Sequence, residues 1–248
     1  MLMIRQLKPI GTYSEKQARK YLKRGLLFLI PFAFLWLTSI RFLPFYIDVG
    51  VFEVNRGFLM GMFSAFGIIY TLLPYTTYKS GLTGERAVVK NISDKLSSDY
   101  SIFNDVLLKD GKRSGNVDHI IVGPTGIFVM ETKNNKGIVT YNGYSWKGIR
   151  GNPSQQAVSN AFRIKYILKN CEVFKEKALY VYAVVLFTNS KINLKISKNP
   201  EWCKVFQIKK LTDSSLSDYI KNEPIRFSDK EMTSIEQSLT ITIGNYDE

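Results

Sequence analysis

The chain has 248 residues, 45% of them hydrophobic, and 34 Lys and Arg against 21 Asp and Glu give a formal net charge of +13. This length and apolar content exclude wholesale disorder and leave room for one good-sized domain plus an appendage. Two cysteines without a CxxC and a single histidine argue against a zinc site and a disulfide scaffold, and they suit a reducing compartment.

Seven basic residues against Glu15 alone precede Gly25. Such an excess favours acidic partners, either nucleic-acid phosphates or an anionic membrane surface, and charge alone does not choose between them. Residues 1–24 read as a basic segment. Two apolar stretches follow. Gly57 to Tyr75 is 19 residues without a charge, enough to cross roughly 30 Å of hydrocarbon. The earlier one, Gly25 to Ile40, has 16 uncharged residues and contains Pro31, and it extends through FLPFYI if Arg41 snorkels. The expected spans are therefore about 25–46 and 57–75, a two-helix transmembrane hairpin. A cleaved signal peptide is the competing reading of the first stretch, but no small-x-small site follows it. A buried helical hairpin is the other alternative. Arg5, Lys8, Lys16, Arg19, Lys20, Lys23 and Arg24 lie before the first helix, whereas Arg41 and Arg56 in the connection are balanced by Asp48 and Glu53. The expected location is a multi-pass cell-membrane protein with its N-terminus and its C-terminal domain cytoplasmic.

From residue 81 to 248 the pattern predicts interleaved α and β elements. Val88, Val89, Ile92 and Leu96 recur at helical spacing and predict a helix over Gly84–Leu96. Strands are predicted over Ser101–Leu108, Val117–Val122, Ile127–Lys133, Ile138–Tyr141 and Tyr144–Ile149, a meander joined by the turn sequences DGKRSG, GPTG, NNKG and NG. A helix over Ser154–Leu168 follows, with Ser154 as its expected N-cap after Pro153. Ala178–Thr188 is too continuously apolar for an edge strand. Short strands near Ile192–Ile196 and Val205–Ile208 and helices near Asp213–Lys221 and Ser228–Ser238 complete the pattern.

Asp118 is followed, after twelve intervening residues, by Glu131-Thr132-Lys133. Side chains alternate along a strand, so Glu131 and Lys133 share a face, and a hairpin at Gly123–Gly126 folds Asp118 back toward them. Their neighbours are strongly apolar, so two carboxylates and a lysine there need each other, a metal or a wet cleft. Holding a hard cation such as Mg²⁺ or Mn²⁺ on Asp118 and Glu131 meets that need, with Lys133 placed to orient water or stabilise charge on a phosphate. The bland alternative is a surface hairpin whose lysine closes a cross-strand ion pair.

This arrangement resembles the PD-(D/E)xK nuclease core. More specifically, residues 84–168 look like the nuclease-related domain, NERD: Gly84-Glu85, Phe103-Asn104-Asp105, Asp118-His119-Ile120-Ile121-Val122, Gly126-Ile127-Phe128-Val129-Met130-Glu131-Thr132-Lys133, Gly137, Trp146 and Asn152-Pro153 with Gln156 occur in that order. The resemblance implies an α/β restriction-endonuclease-like core, a mixed sheet flanked by helices. It also implies that Glu85 and Gln156 join Asp118, Glu131 and Lys133 as catalytic residues. Glu85 has a plain alternative role at the positive end of its helix dipole, and Gln156 as a solvated helix residue beside Gln155. His119 faces away from Asp118 and is expected to be a packed histidine; Asp105 is expected to be structural. Val117 stands where the wider superfamily has proline. The implied function is a membrane-anchored, metal-dependent nuclease acting on DNA in preference to RNA. A noncatalytic membrane-tethered module binding nucleic acid or protein is the alternative, and a membrane structural component with a vestigial acidic pair is a third. Lys109, Lys112, Arg113, Lys147, Arg150, Arg163 and Lys165 are the cations that could meet a nucleic-acid backbone.

Overall fold

A computed structural model describes residues 4–11, 15–25, 27, 30, 48–49, 52–53, 56–110, 113–170, 174–175 and 177–247. The chain divides into two compact units, one of residues 13–80 and one that joins residues 1–12 to residues 81–248.

In the first unit, helix α1 covers residues 15–25 and a two-residue hairpin pairs β2 (Asp48–Val49) with β3 (Phe52–Glu53). Helix α2 (Arg56–Gly67) runs into a π-helical turn, Ile68–Leu72, and then into α3 (Leu73–Ser93). The Tyr21 and Tyr78 rings stack at 5.7 Å. Among the described residues no helix is long and apolar enough to cross a membrane. The second expected span, 57–75, is instead divided among three segments. Helix α2 has 12 residues, about 18 Å at 1.5 Å per residue, and α3 is longer but of mixed polarity. The first expected span, 25–46, lies almost wholly outside the described residues.

The second unit is built on a mixed six-stranded sheet in the order β1-β4-β5-β6-β9-β11. Its strands are β1 (Arg5–Lys8), β4 (Ser101–Asp110), β5 (Arg113–Gly123), β6 (Gly126–Lys133), β9 (Val181–Phe187) and β11 (Cys203–Gln207). The hairpins β4-β5 and β5-β6 are antiparallel, as their turn sequences dictate. Beyond β6 the pairing turns parallel, β6 to β9 and β9 to β11. The expected meander therefore stops at β6. Strands β7 (Gly137–Tyr141) and β8 (Trp146–Lys147) leave to form a second sheet with β10 (Ile192–Ile196). Burial of β9 between two parallel neighbours explains its unbroken apolar run.

Helices cover both faces. Helix α4 (Pro153–Lys169) and α6 (Asp229–Asp247) pack on one, where Val129, Val185, Ile164 and Ile235 are fully buried. On the other, Val88 and Ile92 of α3 and Leu216 and Ile220 of α5 (Ser215–Asn222) meet Phe128, Met130 and Val184. Part of the basic segment at residues 1–24 thus enters the sheet. Strand β1 pairs parallel with β4, and the Asn104 amide donates to Lys8 O at 2.8 Å.

Candidate nuclease site

The central hairpin β5-β6 sets the site. Its register places His119 across from Met130, so Asp118 falls opposite Glu131. Ile120 and Val122 of β5 and Ile127 and Val129 of β6 belong to the core on the α4 side. Alternation continues that face to Asp118, Glu131 and Lys133. The Thr132 amide N–H donates to Asp118 Oδ2 at 2.6 Å, and Lys133 Nζ donates to Glu131 Oε1 at 2.5 Å. The expected convergence of these three groups is present.

Two helices close on the same strand ends. Helix α3 brings Gly84 and Glu85. A Cβ on Gly84 would lie 2.9 Å from Thr188 Oγ1 and 3.0 Å from Asn134 Cβ, so only glycine lets the helix approach this closely. Glu85, 6% exposed, then lies close enough for its charge to oppose ionisation of Glu131. From α4, Gln156 Oε1 accepts a long hydrogen bond from Lys133 Nζ at 3.4 Å. All five residues singled out in the sequence therefore meet at one place.

Helix α4 starts differently from the expectation. Asn152, not Ser154, is its N-cap, accepting from the Gln155 amide at 3.0 Å. Pro153 fills the first helical position, where its missing N–H costs nothing. Ser154 is buried instead; its hydroxyl accepts from Trp146 Nε1 at 3.0 Å and donates to Asn152 Oδ1 at 2.8 Å. This network fixes the turn on which Gln156 is carried.

Electrostatically the site is held under tension. Burial raises the pKa of Glu131, and Asp118 raises it further, while Lys133 pulls it back. Burial likewise raises Asp118 against the Thr132 amide and Lys133. Glu131 is 3% exposed and its Oε2 has no hydrogen-bond partner. Among the described residues no group of three or more His, Cys, Asp or Glu side chains is placed to hold a metal ion. The site offers a carboxylate pair, which suits an ion that keeps several of its waters, as Mg²⁺ does.

His119 is fully buried on the opposite face, its Nδ1 2.8 Å from Asn104 Oδ1. Burial lowers its pKa to about 3, so it stays neutral and packed, as expected. Asp105 is buried with φ +53°, and its Oδ1 accepts from Asn116 Nδ2 at 2.9 Å. Aspartate tolerates this left-handed conformation through local hydrogen bonding, which fits a structural role. Sequence reasoning gave no part to Asn160, although Gln156, Asn160 and Arg163 follow one another at helical spacing on α4.

Residues 80–188 match the family model described as NERD, nuclease-related domain. The matched segment contains Glu85, Asp118, Glu131, Lys133 and Gln156. No curated protein and no solved structure matches the chain.

Proposed function

We propose that the chain is a membrane-anchored, metal-dependent nuclease hydrolysing phosphodiester bonds, with DNA as substrate in preference to RNA. The observation that carries this reading is the meeting of Asp118, Glu131 and Lys133, with Glu131 Oε2 buried and without a hydrogen-bond partner. Two desolvated carboxylates side by side repel unless a proton or a cation lies between them.

Asp118 and Glu131 would hold Mg²⁺ or Mn²⁺, which supplies Lewis acidity and a bound water of lowered pKa. Lys133 keeps its ammonium at the site through Glu131 and Gln156, where it can stabilise charge growing on the phosphate. Glu85 adds negative charge that favours cation binding.

Support for the membrane anchor comes from residues 13–80, where Met62, Phe63, Phe66, Ile69, Leu72 and Leu73 are exposed. A contiguous exposed apolar surface calls for a partner or a lipid phase. In this reading the protein is a multi-pass cell-membrane protein with both ends cytoplasmic. A noncatalytic binding module is the second reading. It is favoured by the ion pair that Lys133 closes with Glu131, which offsets part of the buried negative charge without a metal.

The test uses the full chain in detergent, because residues 1–12 belong to the unit that carries the site. Incubation with single- and double-stranded DNA and RNA in Mg²⁺, Mn²⁺ or EDTA is expected to show metal-dependent cleavage. Glu131→Ala and Lys133→Ala should each reduce it by at least about 100-fold, the scale on which lost electrostatic stabilisation registers. Equal background cleavage by wild type and Glu131→Ala on every substrate would sink the enzyme reading; metal-independent binding without cleavage would favour the module.

A further inference from the structure

We infer that Arg163 is a positioning residue that holds the nucleic-acid backbone beside the scissile phosphate; the inference rests on the nuclease reading above. On α4, Gln156, Asn160 and Arg163 lie at i, i+4 and i+7, one stripe of the helix. Gln156 meets Lys133 at 3.4 Å. Asn160, 3% exposed, donates from Nδ2 to the main-chain oxygen of Asn116 on β5 at 3.1 Å and accepts from Arg163 Nη1 at 3.1 Å. The stripe thus runs from the catalytic lysine along β5, and the guanidinium ends against Gly115.

Gly115 is where a side chain would forbid this, since a Cβ there would overlap Arg163 Nη1. Gly115 lies three positions before Asp118, about 10 Å along a strand. That span corresponds to about three nucleotides of rise along one strand of a duplex. Arg163 is half-buried, and among the described residues no carboxylate meets it; Asn160 is its hydrogen-bond partner. A guanidinium has five donors in a rigid fork. A cation oriented by a neutral amide, with no carboxylate partner among the described residues, beside a site for phosphodiester chemistry is arranged to take an anion. Phosphate oxygens match its fork.

The experiment measures binding of a fluorescein-labelled 12-base-pair DNA duplex to the full chain in detergent, in EDTA, between 50 and 200 mM salt. Cleavage of the same duplex is followed separately with Mg²⁺ and Mn²⁺. Arg163→Ala is expected to weaken binding on the order of tenfold and to make the slope of log affinity against log salt shallower by about one. Arg163→Lys should recover the slope and only part of the affinity. In cleavage, Arg163→Ala should raise KM with kcat little changed. Should the alanine variant lose its melting transition, Arg163→Gln takes its place with the same expectation. Unchanged affinity and unchanged salt slope in the folded variant overturn the inference. A wild type that binds but never cuts defeats the nuclease reading while the binding arm still decides the role of Arg163. A wild type that neither binds nor cuts defeats both.

Discussion

Glu131 shows why these residue types in this pattern are chemically costly without a function. Its carboxyl is buried beside Asp118, and both carry raised pKa values. The folded state therefore holds protons that the unfolded chain releases, so in the metal-free protein stability falls as pH rises from the ordinary carboxylate range toward the raised folded value. His119 acts in the opposite sense, because its lowered pKa costs stability as pH falls below about 6.5. The carboxylate effect is isolated by comparing wild type with Glu131→Gln, which keeps His119. At pH 7.5 without metal, Glu131→Gln should melt higher by about 2–4 °C, roughly 1 kcal/mol. The difference should close below about pH 4. Mg²⁺ or Mn²⁺ should raise the melting temperature of wild type and not of the variant. A variant that melts lower than wild type at pH 7.5 would show that the Lys133 ion pair outweighs carboxylate repulsion. At this scale the sequence was informative. Strand alternation brings Asp118, Glu131 and Lys133 together without knowledge of any long-range contact. Thr132 as an amide donor and Asn160 as a link could not be read, because each depends on how two elements approach.

Elements were legible where local rules govern them and obscure where pairing is nonlocal. The turn sequences between β4, β5 and β6 fix antiparallel hairpins. Nothing in NNKG shows that β7 leaves the main sheet to pair in parallel with β10, more than fifty residues later. Helix α3 is the instructive element. It was expected from Gly84, yet it begins at Leu73 and ends at Ser93. Gly84 lies inside the helix, where alanine would ordinarily gain up to about 1 kcal/mol. Here a Cβ would press on Thr188 Oγ1 at 2.9 Å and Asn134 Cβ at 3.0 Å, both on strand-end segments beside the site. Gly84→Ala is therefore expected to destabilise the protein by about 1 kcal/mol net. By displacing Glu85 it should also weaken the rise in melting temperature on adding Mn²⁺. A more stable Gly84→Ala variant with an unchanged metal response would show that the helix adjusts freely, and would remove the reason for glycine there.

At the scale of the whole molecule, the residues outside the matched segment finish the sheet. Residues 80–188 include β4, β5, β6 and β9, whereas both edge strands, β1 and β11, lie beyond that segment. Strand β1 has a topological consequence. Arg5 pairs with Ser101 and Gln6 with Ile102, and Arg5 donates to Glu236 Oε1 at 2.7 Å. Residues 1–12 and 81–248 form one folded unit, so both lie on one side of any bilayer the protein meets. Residues 13–80 must then cross that bilayer an even number of times or not at all. In the orientation proposed above both ends are cytoplasmic, in keeping with the seven basic residues before Gly25 under the positive-inside rule. With an epitope at each end, protease added to sealed right-side-out vesicles is expected to spare both, and protease added to inverted vesicles to remove both. Retention in the membrane fraction after a carbonate wash would show that the unit of residues 13–80 is embedded rather than adsorbed. One epitope spared while the other is cut would mean that β1 and β4 are not paired in the membrane-bound protein. The parallel edge strand, and with it the buried Asn104 hydrogen bond to Lys8, would then have to form only in the absence of lipid.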